Sequence, residues 1–352
     1  MTSSSIQAIL VINNAISGRL AELALAHDGI DPSQCYVFTL RRFEAPWMRE
    51  AAGVLQYPGF PAFDPWGQVR FLSFFRRAGR ELRRLLAGDA VRKVYLVNCD
   101  NLITSHLLAW ARGRSNVEVV VLAEGLMNFQ DIQLRNRAWW RAPMKAVMSS
   151  AVGLRWQAPT GHLSGAFDPA VGRVVSFAAE GLFAPPEKVQ VLRFHAVEPR
   201  VHADPGAALL AQTGLWQWMT PERREAFAQS FVQWVWRQGF ARLYIKRHPN
   251  YDTRFIEERL PPHELFDRPG SLEDLAPDLP AATIVSTNCT ALVTLRMLRP
   301  DLRCVDYGAD FYCRHAYYGD ESVLAPLRAT GVELVDSEPA VADPASARAE
   351  AV

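Results

Sequence analysis

Short apolar runs, each followed by a segment with helical spacing, recur along the whole chain and constrain its fold more than any other feature. The runs are Ala8–Ile12, Tyr36–Leu40, Val94–Val97, Val119–Leu122, Ala207–Ala211, Leu243–Ile245, Thr283–Val285 and Leu302–Val305. Continuous apolar strands are typical of parallel sheets that helices cover on both faces. The alternation therefore predicts an α/β fold with two doubly wound parallel sheets.

The chain length and one irregular segment predict two domains. With 352 residues, the chain exceeds what one average hydrophobic core organises. Pro159–Pro186 is rich in Gly, Pro, Ala and Phe and lacks a clean period, so we place the connection there. We expect domains at residues 1–165 and 166–335. Residues 336–352 lack large apolar side chains and are expected to be a disordered tail or a last helix.

The overall composition limits the classes of partner and compartment. Lys and Arg number 38 against 37 Asp and Glu, so the net charge gives no reason to expect a nucleic-acid partner. The five cysteines are scattered and odd in number, which favours reduced, mostly buried thiols. Met1–Gln7 has no basic residue, and the apolar run after it is too short for a signal or a membrane span. We expect a cytoplasmic protein.

A carboxylate follows one of the predicted strands in the first half. Glu124 lies in Ala123-Glu124-Gly125, directly after the apolar run Val119–Leu122. A carboxylate at a strand end with apolar neighbours has a raised pKa and accepts a proton from a substrate hydroxyl. The alternative is an acidic residue that merely favours the N-terminus of the next helix.

A basic turn ends a predicted strand in the second half. In Lys246-Arg247-His248-Pro249, proline ends the strand and favours an extended conformation for His248. An imidazole beside two cations suits a phosphate leaving group, because it titrates near neutral pH and donates to developing negative charge. The alternative is a solvated basic loop.

Hydroxyl side chains follow another strand of the second half. Ser286 and Thr287 lie between the run Thr283–Val285 and a helical pattern. Hydroxyls and free backbone N–H groups at a helix N-terminus form an anion site. Ser and Thr are also ordinary helix N-caps, which is the alternative.

Taken in order, these three motifs resemble those of the bacterial sialyltransferase and polysialyltransferase group. That group shares an acidic-acidic-Gly motif, a His-Pro motif and a Ser-Ser/Thr motif. The resemblance covers roughly Ala8–Tyr307, and Ala123 departs from it because the first acidic position is not acidic. It implies a GT-B fold, in which two Rossmann-like domains face each other across a cleft. It also implies a cytidine monophosphate (CMP) sugar donor and no requirement for a metal or other cofactor.

The same resemblance implies a role for each matching residue. Glu124 would be the general base, and His248 would help the CMP to leave. Residues expected to contact the donor are Lys246, Pro249, Ser286, Thr287, Gln212, Thr213 and Glu273. Gln212 and Thr213 would belong to a nucleotide-side loop, and Glu273 would contact cytidine or ribose. The donor would bind the second half and the acceptor the first.

The expected function is therefore an inverting transfer of a nonulosonic acid from a CMP-sugar to a cell-surface glycan. The absence of an Asp-x-Asp pair and of ligand-spaced histidines agrees with metal-independent chemistry. Three alternatives stay open. They are a GT-B transferase using CMP-linked octulosonate (CMP-Kdo) or a UDP-sugar, a nucleotide-sugar hydrolase or epimerase, and a noncatalytic nucleotide or glycan-binding module.

Two basic segments raise the question of a lipid-linked acceptor. Phe71–Leu86 predicts an amphipathic helix with clustered arginines, and Arg135–Arg141 is a second basic aromatic patch. Such helices bind anionic membrane surfaces, which would suit a glycan or glycolipid acceptor at the cytoplasmic face of the inner membrane. The favoured alternative is an ordinary helix that packs its apolar face inward.

Overall fold

A computed structural model describes residues 6–41, 44–57, 65–131, 141–248, 253–315 and 321–337. The chain divides into two compact units, Met1–Arg193 and Phe194–Val352. The Arg135–Arg141 patch lies almost entirely outside the described residues, as do Pro249 and nearly all of the expected tail.

The described part of the first unit contains a seven-stranded sheet. Its strands are β1 Ala8–Ile12, β2 Cys35–Thr39, β3 Gly53–Gln56, β4 Lys93–Leu96, β5 Glu118–Leu122, β6 Val171–Ser176 and β7 Val189–Val191. Its helices are α1 Ala15–His27, α2 Pro65–Leu85, α3 Leu102–Ala111 and α4 Arg141–Ala151. Neighbouring strands pair in parallel in the order β3-β2-β1-β4-β5-β6-β7.

The second unit, over its described residues, contains a six-stranded sheet. Its strands are β8 Asp204–Ala211, β9 Arg242–Lys246, β10 Glu264–Leu265, β11 Ala281–Ser286, β12 Arg303–Tyr307 and β13 Glu333–Val335. Its helices are α5 Pro221–Gln238, α6 Arg254–Glu257, α7 Thr290–Leu298, α8 Ala309–His315 and α9 Leu324–Ala329. The strands pair in parallel in the order β10-β9-β8-β11-β12-β13.

The eight apolar runs form the central strands, as the sequence predicts. Every residue of β1 and β2 is buried, which agrees with a parallel sheet covered on both faces. In each sheet the strand order reverses once, between β1 and β4 and between β8 and β11. Ligands of doubly wound sheets bind at the carboxyl ends of the strands beside such a reversal. The topology therefore marks one edge of each sheet as a place for a site.

The division between the units lies later than the expected position after residue 165. It falls between Arg193 and Phe194, because β6 and β7 pair with the first sheet. Gly172 and Arg173 interrupt the apolar sequence of β6, so the sequence pattern does not predict a buried strand there. Residues 166–193 therefore complete the first unit.

An ion-pair network joins the amino ends of the central strands in the first unit. Asp28, after α1, accepts hydrogen bonds from the Arg173 guanidinium at 2.6 and 3.0 Å and from the Tyr95 hydroxyl. Lys93 lies 3.0 Å from the same carboxylate. Burial opposes the ionisation of Asp28, but these partners outweigh it and lower its pKa to about 2. The charged cluster lies at the sheet edge opposite the carboxyl ends.

The arginine-rich helix α2 packs as an ordinary domain helix. Its buried side chains are Phe74, Phe75, Ala78, Leu82 and Leu85, and they belong to the core of the first unit. The alternative favoured from the sequence is thus what the structure contains, and the apolar face of α2 does not face solvent. Among the described helices, none has the length and apolar character needed to cross a membrane.

Candidate active site

Glu124 lies at the carboxyl edge of the first sheet, directly after β5. The backbone carbonyl of Glu124 accepts a hydrogen bond from the Asn14 Nδ2 at 3.3 Å. Burial raises the pKa of the Glu124 carboxyl, while the Arg41 charge and a hydrogen bond from the Asn13 side chain act in the opposite direction. A carboxylate in this setting holds a proton more readily than a solvated one, which suits a general base.

Two consecutive asparagines after β1 fix Glu124 in place. The Asn14 Oδ1 accepts from the Ser17 N–H at 2.8 Å and caps α1, which leaves its Nδ2 to bind Glu124. The Asn13 Oδ1 accepts from the Leu40 N–H at 3.4 Å, so its Nδ2 is the donor that remains for the carboxylate. The loops after β1, β2 and β5 therefore meet at Glu124.

Sequence reasoning did not predict the roles of Asn13, Asn14 and Arg41. The available signal was their position, since Asn13 and Asn14 directly follow β1 and Arg41 comes two residues after β2. Carboxyl ends of neighbouring parallel strands share an edge, so polar residues at several strand ends are expected to meet. Their pairing with Glu124 required the strand order.

Four residues predicted to contact the donor meet at the strand reversal of the second sheet. The Ser286 hydroxyl donates to the Ala211 carbonyl at 2.6 Å, and the hydroxyl oxygens of Thr213 and Thr287 lie 3.2 Å apart. The Gln212 N–H donates to the Lys246 carbonyl at 3.0 Å, which ties the ends of β8 and β9 together. The loops that follow β8, β9 and β11 thus form one polar cluster.

A small cavity borders this polar cluster. Its volume is about 20 Å³, and its lining includes Thr213, Trp216, Ser286 and Thr287. That volume holds a water-sized group and not a nucleotide. A ligand would therefore bind against the outer side of the hydroxyl cluster.

A buried carboxylate, not predicted from the sequence, fixes the turn before α7. The Asp306 Oδ2 accepts from the Asn288 N–H at 2.8 Å, and the Tyr312 hydroxyl donates to the Asp306 Oδ1 at 2.9 Å. Asn288 has φ 45°, a left-handed conformation that non-glycine residues seldom adopt. Burial raises the pKa of Asp306 from 3.8 to about 7, although bonds from Tyr312, Asn288 and Cys289 act against it. Asp306 shapes the turn that carries Ser286 and Thr287.

The basic turn after β9 is held by other residues of its own unit. The Lys246 ammonium donates to the Arg268 carbonyl at 2.6 Å, and burial lowers its pKa. The Arg247 Nε and Nη2 donate to the Glu257 carboxylate at 3.0 and 2.6 Å. His248 is half-buried after the end of β9. Both flanking cations therefore have protein partners, and roles for Lys246 and His248 at the donor stay predictions.

Glu257 links the basic turn to the loop after β8. Besides Arg247, its carboxylate accepts from the Gln212 Nε2 at 3.0 Å, and the Gln212 Oε1 accepts from the Thr253 hydroxyl. Burial opposes the ionisation of Glu257, but the bonds from Arg247 and Gln212 outweigh it and lower its pKa. Gln212 is thus oriented by a buried carboxylate, which the sequence pattern did not reveal.

Glu273 lies against helix α7. Its Oε1 accepts from the Thr294 hydroxyl at 3.0 Å, and burial raises the pKa of its carboxyl. Ser271 and Asp274 exchange hydrogen bonds of the capping-box type around it, although the segment forms a turn and not a helix. A contact of Glu273 with ribose or cytidine stays a prediction.

The structure places the predicted residues in two groups, each at the carboxyl edge of one sheet. Glu124 belongs to the first unit, whereas Gln212, Thr213, Ser286 and Thr287 belong to the second. Within the described ranges, no group of three or more His, Cys, Asp or Glu side chains is arranged to hold a metal ion. Independence from metals remains a prediction.

Comparisons with known proteins show that the fold of this chain is similar to that of solved structures. No family model matches the chain, and no curated protein matches its sequence. A putative UDP-N-acetylglucosamine 2-epimerase from Listeria monocytogenes is similar with a TM-score of 0.50 and 10% identity, over 86% of this chain and 79% of that one. At this identity the likeness extends to the fold and not to the substrate.

Two glycosyltransferases are also similar, at lower scores. The glycotransferase of kitacinnamycin gives a TM-score of 0.47 with 13% identity, over 97% of this chain and 89% of that one. A calicheamicin glycosyltransferase gives 0.45 with 17% identity, over 97% and 88%. The strand order and the epimerase likeness confirm the predicted fold class, two Rossmann-like α/β domains of the GT-B type.

Proposed function

We propose that the protein is an inverting, metal-independent glycosyltransferase that moves a sugar from a nucleotide-linked donor to a glycan or glycolipid hydroxyl. The observation that carries the proposal is the position of Glu124 at the carboxyl edge of the first sheet, held by Asn13 and Asn14. Burial raises the pKa of its carboxyl, as a base that takes a hydroxyl proton requires.

The donor side of the proposal rests on the strand reversal of the second sheet. Thr213 and Thr287 present hydroxyls there, next to the turn that Asp306 shapes. Ser286 donates its own proton to the Ala211 carbonyl, so its oxygen is left to accept and not to donate. One threonine hydroxyl donates to the other, so the pair keeps one proton, and we assign the donor phosphate to that hydroxyl. We assign His248 to the leaving phosphate.

The reaction is a single displacement at the anomeric carbon. The acceptor oxygen forms the new bond to that carbon while its proton passes to Glu124. The bond from the anomeric carbon to the phosphate oxygen breaks, and its electron pair leaves with the nucleotide. Hydrogen bonds to the developing phosphate charge lower the barrier, and opposite-face attack inverts the configuration.

Two donor classes remain candidates. A UDP-sugar is supported by the epimerase of the same fold, whose name includes UDP-N-acetylglucosamine. A CMP-linked nonulosonic acid is supported by the order of the three motifs around Glu124, His248 and Ser286-Thr287. The fold neighbour favours the UDP-sugar as the first donor to test, with CMP-Kdo and CMP-sialic acid in the same screen.

A donor screen with free nucleotide as the readout tests the proposal. We expect nucleotide release from one donor class that requires an acceptor hydroxyl, persists in EDTA, and falls at least a hundredfold in Glu124→Gln. Glu180→Gln is the matched control, because Glu180 is an exposed glutamate in the same unit. Full activity of Glu124→Gln would refute the assigned base.

The acceptor requirement separates the transferase from the main alternative. A nucleotide-sugar hydrolase or epimerase of this fold would turn over its donor with no acceptor present. Acceptor-independent turnover at the same rate would therefore replace the transferase proposal. A noncatalytic binding module would bind nucleotide and release no product.

A further inference from the structure

Two neighbouring helices of the first unit concentrate positive charge. Helix α2 contains six arginines against one glutamate, and α4 contains Arg141 and Lys145, of which Lys145 pairs with Asp100. The whole chain has a net charge of only +1. The rest of the chain therefore has an excess of acidic residues, while these two helices have an excess of basic ones. A local positive charge of this kind favours an anionic partner.

The two residues that directly follow α4 contact α2. A Cβ atom at Gly79 of α2 would lie 2.6 Å from the carbonyl oxygen of Val152, which follows α4. A Cβ atom at Gly153 would lie 2.6 Å from the Arg83 guanidinium. Because Gly79 has no side chain, Val152 lies against the backbone of α2, and the Arg83 side chain lies against Gly153.

Three arginines of α2 form a stripe along that helix, and Arg83, the last of them, lies against Gly153. Arg76, Arg80 and Arg83 follow one another at helical spacing and are exposed. On the helix they lie to one side of Gly79, the residue that Val152 approaches. Their Cα atoms span about 10 Å along the axis, so the three charges act within one Debye length at ordinary salt.

Helix α4, which ends two residues before the contact of Gly153 with Arg83, exposes apolar side chains. Met144 and Val147 are 52% and 71% exposed, and they share one face of the helix with Ala151. The opposite side of α4 contributes the buried Ser149, and Met148, at the border of the exposed strip, packs partly against the core. An exposed apolar strip bordered by cations is the combination that binds an anionic lipid surface.

We propose that Arg76, Arg80, Arg83, Met144 and Val147 form a docking surface for an anionic lipid bilayer. The arginines attract the headgroups, and the two apolar side chains enter the interfacial layer. The apolar element is α4 and not α2, whose apolar face lies in the core. The proposal goes beyond the glycosyl transfer and does not depend on it.

Vesicle sedimentation with the full chain tests the surface without donor or acceptor. We expect binding to vesicles of phosphatidylcholine with 30% phosphatidylglycerol, little binding to pure phosphatidylcholine, and loss of binding in 1 M NaCl. Replacing Arg76, Arg80 and Arg83 together by glutamine is expected to lower the partition constant roughly 100-fold, about fivefold per charge. Equal binding to both vesicle types would overturn the proposal.

Two further variants distinguish a lipid surface from other polyanions. Val147→Ser keeps the charge and is expected to weaken vesicle binding severalfold, because the exposed valine no longer enters the interface. The control replaces Arg223, Arg242 and Arg328, three exposed arginines of the second unit, by glutamine and is expected to bind like the wild type. Unchanged binding of Val147→Ser, together with equally tight binding of DNA, would assign the surface to nucleic acid instead. Retained circular dichroism spectra confirm folding.

Discussion

The hydroxyl oxygens of Thr213 and Thr287 lie 3.2 Å apart across the one place where the strand order of the second sheet reverses. Thr213 follows β8 and Thr287 follows β11, so the two side chains come from chain segments 74 residues apart. A parallel sheet leaves a crevice at such a reversal because the flanking connections run to opposite faces. In the first sheet, Asn14 follows β1 at the corresponding reversal and bonds to Glu124.

Glu124→Gln is expected to lower turnover by about a hundredfold or more while stability is kept or increased. The carboxylate is the proposed base, whereas its ionised form costs stability, since desolvation raises its pKa. Turnover and the melting temperature at pH 8 are the measurements. A large fall in melting temperature would mean that the lost activity reflects unfolding and not a lost base.

Asn13→Ala is expected to move the acidic limb of the pH–rate profile to higher pH. The Asn13 hydrogen bond favours ionised Glu124, so its removal raises the pKa of the base further. We expect roughly tenfold lower turnover on the acidic limb and recovery at high pH. Asn101→Ala removes the N-cap of α3 and is the control, since it lowers stability with no shift of the profile. An equal loss of rate at every pH would refute a positioning role for Asn13.

Replacing Thr213 and Thr287 together by valine is expected to weaken nucleotide binding tenfold or more. Valine keeps the shape of each side chain and removes the hydroxyls assigned to the phosphate. Calorimetric titration with UDP and with CMP gives the affinity. Thr39→Val is a matched control in the first unit, since the buried Thr39 hydroxyl has no hydrogen-bond partner among the described residues. Unchanged affinity in the folded double variant would contradict the phosphate assignment.

Asp306 is expected to make stability depend on pH between about 4 and 7. Burial raises its pKa from 3.8 to about 7, so across this window the folded state keeps a proton that the unfolded state has lost. Stability therefore falls as pH rises, by at most about 1.4 kcal/mol per pH unit. Urea unfolding of the wild type and of Asp306→Asn at four pH values measures the difference. A wild type that gains stability over the variant with rising pH would contradict the shifted pKa.

Central strands could be predicted from the sequence because their apolar runs are continuous. Those runs fall within a few residues of the observed strands, from β1 at Ala8–Ile12 to β12 at Arg303–Tyr307. The strands that escaped prediction are short, polar or interrupted, such as β10 at Glu264–Leu265 and β6 with Arg173 in it. Their pairing comes from the sheet beside them and not from their own composition.

The site could be predicted only as separate groups. Glu124 and Ser286-Thr287 follow apolar runs, so their place at strand ends was readable. The partners that orient these residues could not be predicted from the sequence. Asn13 contacts Glu124, and Asp306 accepts from the Asn288 N–H, because the strand order brings these segments together. Burial of charge likewise depends on the folded surroundings. The bonds of Lys246 to Arg268 and of Arg247 to Glu257 were hidden for the same reason.

The division between the two units falls at a single peptide bond, from Arg193 to Phe194. Glu124, the proposed base, precedes that bond, and every residue proposed to contact the donor follows it. A chimera joined there would inherit one complete set of loops from each parent. Under the proposed function, recombination at this position is expected to exchange the choice of activated sugar and to leave the choice of recipient hydroxyl unchanged.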